Sequence, residues 1–329
     1  MPKKAKNIIF QVLKVVFSVG IIIWLVQSGK LNFKALLNLL QPQYLFLGIF
    51  LIGTNMYLTS ERWRMLLLTQ SHQLPALQTF KLTLIGIFFN FVVPGGVGGD
   101  IVKAFYFSKD HPESRMVAAT SVLMDRVLGL YSMTLMAFIA MIFDWNHVQS
   151  VPTLRLLWNF ILLLFIAFNI ILGVVFSQAI YDRGTLTRWL LKLPLHSKTT
   201  RIYESLHLYG RSLKYVIASI FISLLAQTFS ILFMIVAGNA SGLGHMNWST
   251  YFLVSPLGFM ATAIPISPAG VGVGQAAFYF LFNLYSGETS DLGPTAITAL
   301  QVGTFLFGLM GAFFYLQRKD KLPQSIEQT

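Results

Sequence analysis

Two ionisable residues that are adjacent in the sequence, Asp125 and Arg126, lie inside an otherwise apolar run. They follow Arg115 by about ten residues, which places them roughly 10–15 Å along a helix and well within hydrocarbon. Charges at that depth are costly and mark substrate or ion pathways by default. Because successive helical residues point about 100° apart, the two do not pair with each other. We predict Asp100 and Lys103 as their partners, in a cluster that either handles substrate or only fastens two helices together.

A glycine-rich segment lies just before these charges, in Asn-Phe-Val-Val-Pro-Gly-Gly-Val-Gly-Gly-Asp-Ile-Val-Lys (90–103). Proline and glycine interrupt helices, and a break inside the membrane is tolerated only where protein or a wet cavity covers the backbone. We predict that amides exposed here bind phosphate, with Arg126 as the cation. Asp100 either competes with that anion or caps the following helix. The glycines of this predicted site are Gly95, Gly96, Gly98 and Gly99.

A second break, Ile-Pro-Ile-Ser-Pro-Ala-Gly-Val-Gly-Val-Gly-Gln (264–275), lies in the other half of the chain. It repeats the pattern of the first, since the first break contains Pro-Gly-Gly-Val-Gly (94–98) and the second contains the closely similar Pro-Ala-Gly-Val-Gly (268–272). Two matching breaks, one in each half, are the best sequence indication of a transporter's binding site. We therefore predict that Gly270, Gly272 and Gln275 complete the substrate site, although interhelical hydrogen bonding also accounts for Gln275.

The composition is that of a membrane protein. The 329 residues are 55% hydrophobic and only 11% charged, less than half the charged share of a typical soluble domain. Repeated apolar runs of about twenty residues have the length that crosses a bilayer. The sequence therefore predicts an all-α, polytopic membrane protein with one integral-membrane domain over residues 1–329. We assign the net charge of +12 to cytoplasmic loops rather than to nucleic-acid binding, for which no motif is present.

The sequence offers no pattern for catalysis or metal binding. It contains no cysteine, which excludes thiol catalysis and thiolate metal sites. Its six histidines lack the spacing of metal ligands. A nucleophile elbow and a close carboxylate pair are also missing. We predict no enzymatic activity, no metal and no cofactor.

Six apolar runs are long enough to cross the membrane, and two further runs are broken into hairpins. The predicted spans cover residues 8–26, 44–60, 116–142, 154–176, 215–237 and 294–316. The predicted hairpins cover 76–107 and 249–285, with an interfacial helix over 32–40 and a basic interfacial loop over 177–214. The first span is retained, because its apolar run is longer than that of a signal peptide. Glu61, Arg62 and Arg64 end the second span and are interpreted as interface anchors.

The distribution of positive charge predicts an inverted repeat. Lys81 and Lys109 flank the first hairpin, whereas no Lys or Arg flanks the second. The positive-inside rule then brings the hairpins in from opposite faces, as re-entrant segments, with both termini in the cytoplasm. Span, hairpin and span over 44–142 are mirrored with reversed topology by 215–316, as in many secondary transporters. In the alternative, where both hairpins cross fully, the loop polarity in the middle of the chain would be inverted.

These motifs, taken in order, resemble the membrane domain of the lysylphosphatidylglycerol synthetase/flippase family. The matching stretches are residues 90–100, Ser-Val-Leu-Met-Asp-Arg-Val-Leu-Gly (121–129), 268–274 and the Arg-Trp-Arg exit (62–64). The resemblance covers nearly the whole chain. It implies a flippase that moves lipids such as aminoacylated phosphatidylglycerol between leaflets. The full-length synthetase also carries a soluble aminoacyl-transfer domain, and because this chain ends at Thr329 we expect a stand-alone member.

We therefore expect a lipid flippase of the cytoplasmic (inner) membrane, whose substrate is an anionic or aminoacylated phospholipid or a polyprenyl-linked lipid. The head group would be held between the hairpins by Arg126, Lys103 and the glycine amides. With no ATPase motif, transport is downhill or coupled to an ion or proton gradient through Asp125 or Asp100. The alternative is a non-transporting subunit or scaffold that presents lipid to a separate transferase. The expected partners are phospholipid and such an enzyme, without nucleic acid; oligomerisation is left open.

Overall fold

The computed structural model describes residues 23, 36–93, 97–190, 196–243 and 245–318. Every regular element in these ranges is helical, which confirms the predicted all-α fold. The helices are α1 (Pro42–Leu68), α2 (Ala76–Val92), α3 (Gly98–Asp110), α4 (Arg115–Phe143), α5 (Trp145–Ser150), α6 (Pro152–Phe176), α7 (Gln178–Asp182), α8 (Thr185–Leu190), α9 (His196–Gly210), α10 (Leu213–Ser241), α11 (Trp248–Thr262), α12 (Val273–Ser286) and α13 (Leu292–Gln317). Short 3-10 turns lie at Asn38–Leu40, Pro112–Ser114 and Pro268–Gly270.

Four helices of the described ranges are long and apolar enough to cross a membrane, namely α4 with its preceding turn, α6, α10 and α13. They correspond to four of the six predicted spans. The predicted span over 44–60 is the first part of α1, which runs on to Leu68 and is therefore 27 residues long. Its C-terminal turns carry Glu61, Arg62 and Arg64, so the helix itself continues about two turns beyond the predicted end of the span. The predicted first span, 8–26, lies outside the described residues apart from Ile23.

Both predicted hairpins are pairs of short helices that pack against each other, α2 with α3 and α11 with α12. The four helices have 17, 13, 15 and 14 residues. At 1.5 Å per residue the longest measures about 26 Å, less than the ~30 Å hydrocarbon layer. The helices of the first hairpin are in close contact because Gly99 faces Gly86. A Cβ atom on Gly99 would overlap the carbonyl oxygen of Gly86.

The two hairpins open at opposite ends of the bundle. At one end Asp110, which ends α3, accepts hydrogen bonds from Gln78 of α2 and Arg318 beyond α13. Lys109, Arg115 and Arg318 lie there, and we name it the basic end. At the opposite end the Tyr285 hydroxyl of α12 donates to the Asp144 carboxylate, at the far end of α4. The reversed orientation of the hairpins is the arrangement expected of an inverted repeat.

The basic loop between α6 and α10 folds into α7, α8 and α9, which lie at the basic end. A buried polar network ties α9 to the bundle. In this network the Ser205 hydroxyl lies 2.7 Å from the Thr120 hydroxyl and 3.1 Å from Gln70 Oε1. Tyr209 is also fully buried here, and burial raises the pKa of its phenol above the ordinary value. The predicted interfacial loop is thus a set of helices anchored to α1 and α4.

Candidate functional site

A cavity of ≈380 Å³ lies between the end of α2 in the first hairpin and the tip of the second hairpin. Asn90 and Phe91 of the first hairpin and residues 262–265, 269 and 270 of the second contribute to its wall, together with α1, α4 and α13. Its polar lining residues are Arg62, Asn90, Asp125, Arg126, Thr262, Gln301 and Thr304. Residues 263–266, at the tip of the second hairpin, are exposed. The last turns of α2, just before the first break, and the second break therefore meet at one cavity, although they lie some 170 residues apart in the chain.

Asp125 lies at the centre of a buried ionic network beside this cavity. Its carboxylate accepts from Arg62 Nε at 2.7 Å and lies 3.5 Å from Lys103 Nζ. Asp125 and Lys103 are each only 5% exposed. The Lys103 ammonium also lies 4.3 Å from the centre of the Trp63 ring, and Arg62 Nη1 donates to Ser223 at 3.0 Å. The network thus joins α1, α3, α4 and α10 in the low-dielectric interior, where paired charges stabilise and unpaired ones are costly.

Arg126 faces away from Asp125 and pairs with Asp100 at the start of α3. Its side chain is 35% exposed, compared with 12% for Arg62, so it is the more accessible of the two guanidinium groups that line the cavity. The pairs predicted from the sequence, Asp125 with Lys103 and Arg126 with Asp100, are both present. Arg62, Lys103, Arg126, Asp100 and Asp125 are called the ionic cluster below. Three cations and two carboxylates give it one net positive charge.

Arg62 is a residue that the sequence interpretation missed, because it was assigned to the membrane interface. The continuation of α1 to Leu68 instead places it inside the bundle. No local sequence pattern indicated this role, because the contact between Arg62 and Asp125 joins two separate helices, α1 and α4.

The described glycines of the first break support packing rather than an open anion site. Gly95 and Gly96 lie outside the described residues. Gly98 and Gly99 form the first turn of α3, and the Gly99 amide donates to Asn90 Oδ1 at 2.9 Å. The amide that was predicted to face a phosphate at Gly99 is therefore already occupied, and the cations of the cavity wall are the groups available to an anion.

In the second break, the structure separates the three predicted residues. Gly270 lines the cavity, whereas Gly272 and Gln275 are not among its lining residues. The Gly272 amide donates to Gln275 Oε1 at 2.7 Å, and Gln275 Nε2 donates to Gln301 Oε1 at 2.7 Å. Gln301 Nε2 in turn donates to the Ala269 carbonyl at 3.3 Å. Gln275 is 1% exposed and therefore holds the tip of this hairpin against α13 from behind the wall.

We expect Gly270→Ala to lower the free energy of unfolding by about 1–3 kcal/mol. Its φ of +71° is in the left-handed region, and an added Cβ would lie 2.7 Å from Thr262 Cβ. Gly287 is a matched control, because its φ is +73° and a Cβ there would have open space. The measurement is the midpoint of thermal unfolding of the purified protein. Equal losses for Gly270→Ala and Gly287→Ala would show that the contact with Thr262 contributes nothing.

With this geometry established, comparison with known proteins decides the family. The sequence profile of a family described as the lysylphosphatidylglycerol synthase TM region matches residues 11–311. This chain belongs to that family. The match to the lysylphosphatidylglycerol synthase TM family includes both hairpins and all five members of the ionic cluster.

A relative from Methanocaldococcus jannaschii, a UPF0104 membrane protein, is 21% identical over 306 residues. The alignment covers 88% of this chain and 89% of the relative. No solved structure matches. The similarity therefore extends over nearly the full length of both membrane proteins.

Proposed function

We propose that this protein is a lipid flippase, which moves an anionic or aminoacylated phospholipid, or a polyprenyl-linked lipid, between the leaflets of the membrane. The observation that carries the proposal is the cavity between two oppositely oriented hairpins, with an accessible guanidinium in its wall. Oppositely oriented broken helices around a central site are the usual design of a transporter that exposes one site alternately to each side.

The dimensions of the cavity support a head-group site. Its ≈380 Å³ is within the range of about 300–1,000 Å³ in which small-molecule sites fall. Such a volume holds a phosphorylated head group, while the acyl chains remain in the surrounding lipid. The exposed apolar tip of the second hairpin, which includes Ile264 and Ile266, provides an apolar border for those chains.

Arg126 is the residue proposed to bind the phosphate. Its planar guanidinium donates to two oxygens of one phosphate at once, which a lysine ammonium does less well. In the structure Asp100 occupies that guanidinium, so the phosphate has to displace a carboxylate. Arg62 lines the same cavity and contributes a second positive charge, although Asp125 holds it in place. Lys103 acts from behind the wall by holding the Asp125 carboxylate in position.

We also propose that the basic end faces the cytoplasm and that the membrane is the cytoplasmic one. Lys109, Arg115 and the described basic residues Arg183, Arg188, Arg201 and Arg211 between α6 and α10 lie at this end, as the positive-inside rule expects. The first hairpin then enters from the cytoplasm and the second from the opposite side. With no nucleotide-binding motif in the sequence, transport is downhill or driven by an ion or proton gradient.

The test is lipid translocation by purified protein in liposomes. The probe is phosphatidylglycerol that carries a fluorophore bleached by dithionite, an ion that does not cross the bilayer. A flippase exposes the label of the inner leaflet, so dithionite removes nearly all the fluorescence instead of about half. The proposal would be contradicted if liposomes with the protein protected the inner-leaflet label from dithionite to the same extent as liposomes without it.

A second candidate is a non-transporting subunit that presents lipid to a separate transferase. The family description favours it, because it names the membrane region of a lipid synthase. In that case the cavity binds a head group without exposing it to both sides. Head-group binding without translocation in the liposome assay would identify this second function.

A further inference from the structure

A second charged cavity, of ≈180 Å³, lies between α2 and α13 near the basic end. It shares no lining residue with the central cavity. Its polar wall consists of Gln78, Lys81, Gln317 and Arg318. Two cationic side chains therefore meet in a cavity large enough for a phosphate group, at a place that the proposed transport path does not use.

Arg318 has an incompletely paired guanidinium. Its Nη2 donates to the two Asp110 carboxylate oxygens at 2.8 and 3.1 Å, and the group lies 4.3 Å from the centre of the Tyr106 ring. Its Nη1 is buried without any hydrogen-bond partner in the described part of the chain. A buried donor of this kind costs free energy unless an acceptor is supplied. The described part of the chain thus supplies no acceptor to this nitrogen.

Lys81 is the second cation of the cavity. Its ammonium lies 5.3 Å from the centre of the Phe314 ring, and among the described residues no carboxylate lies within ion-pair distance of it. Counting only the described residues, Lys81 and Arg318 against the carboxylate of Asp110 leave one net positive charge. That charge and the unpaired Nη1 are both satisfied by one anion.

The position of the cavity indicates what kind of anion this is. Lys81 lies five residues into α2, or about 7.5 Å from its first residue at the basic end. The apolar lining residues Leu82, Ile85 and Phe314 accompany the charged group. Charge at the level of the membrane interface together with an apolar groove matches the phosphate and the first acyl carbons of a lipid.

We propose that this cavity binds the phosphodiester of a phospholipid at the membrane interface, separately from the central transport cavity. Lys81 and Arg318 are the phosphate ligands, and Gln78 and Gln317 are donors at its edge. A lipid bound here fills the groove between the first hairpin and the last span. It therefore stabilises one position of the hairpin relative to α13.

The test is native mass spectrometry of the purified full chain, titrated with dioleoylphosphatidylglycerol. The lipid-binding step that is lost in Arg126→Ala belongs to the central cavity and is set aside. Of the remaining resolved steps, we expect Lys81→Gln to weaken the tightest by about tenfold, as loss of a charge-assisted hydrogen bond predicts. Lys81→Arg keeps the affinity within about threefold, because it keeps the charge. The effects of Lys81→Gln and Arg126→Ala add, since the two cavities share no residue.

Lys214→Gln is the matched control. Lys214 also places its ammonium over an aromatic ring, 4.9 Å from the centre of Tyr215, but it does not line this cavity. Its substitution leaves lipid binding unchanged. Lys81 makes no ion pair within the described residues, so Lys81→Gln keeps the wild-type melting temperature when lipid is absent. Equal lipid affinities of Lys81→Gln and wild type would overturn the proposal.

A parallel titration with inorganic phosphate distinguishes the two sources of the phosphate group. A lipid site shows no rise in melting temperature with phosphate and no loss of bound lipid in phosphate excess. The opposite result is a melting temperature that rises with phosphate in the wild type but not in Lys81→Gln, while both bind lipid equally. That result would assign the site to free phosphate and overturn the lipid proposal.

Discussion

Arg126→Ala reduces lipid translocation in liposomes to the protein-free rate while the protein still folds and inserts. The expected loss is up to about 100-fold, because a bidentate charged contact to phosphate is worth up to about 3 kcal/mol. Folding is retained because Arg126 and Asp100 are 35% and 17% exposed at the cavity, so Asp100 remains accessible to water when its partner is removed. The measurement is the initial rate at which the inner-leaflet label becomes accessible to dithionite, with the same amount of protein reconstituted for each variant.

Arg115→Ala is the control for this result. Arg115 is on the same helix, is exposed at the basic end and does not line the cavity. The Arg115→Ala substitution removes one positive charge without touching the site. We therefore expect the variant to transport lipid at a rate within about twofold of the wild-type rate. Wild-type transport by Arg126→Ala would remove this residue from the proposed mechanism and leave the ionic cluster with a structural role.

Asp125→Ala has the largest expected effect on stability, a loss of about 3–5 kcal/mol in the free energy of unfolding. It leaves the buried cations Arg62 and Lys103 without their shared carboxylate, and the link between α1, α3 and α4 is lost. The measurement is the yield of monodisperse protein and its thermal midpoint in detergent. Glu113→Ala, at an exposed carboxylate in the turn before α4, is expected to change neither.

A double variant separates lost pairing from lost packing at this position. Arg62→Leu with Asp125→Leu removes one cation together with the carboxylate, so one unpaired cation, Lys103, remains buried instead of the two that Asp125→Leu alone leaves. We expect it to be less destabilised than the sum of the two single substitutions by at least about 1 kcal/mol. Strict additivity would show that the 2.7 Å contact between the two side chains contributes no coupling energy.

Much of the architecture follows from the sequence because the membrane leaves few alternatives. An apolar run that contains proline and several glycines does not continue as a helix, so the two breaks locate both hairpins. A charge within hydrocarbon needs a partner, and few are available. Asp100 and Lys103 were therefore identified as partners of Arg126 and Asp125 without any knowledge of the packing.

What the sequence did not provide depends on how helices end and which side chains meet across them. Arg62 was assigned to the interface because an Arg-Trp-Arg exit is typical of a span's end, whereas α1 continues to Leu68. The roles of Gln275 and Asn90 depend on hydrogen bonds to Gln301 and to the Gly99 amide. Those contacts depend on the packing of separate helices, about which local sequence patterns carry no information.

The charge balance of the ionic cluster has a consequence for the membrane voltage. Its five side chains carry one net positive charge, so binding one singly charged phosphodiester makes the cluster neutral. The voltage then acts weakly on the loaded form and strongly on the empty one, at up to about 2.3 kcal/mol per 100 mV for a charge that crosses the whole field. If the protein is the flippase proposed above, voltage therefore influences the return of its empty form more than the passage of the lipid.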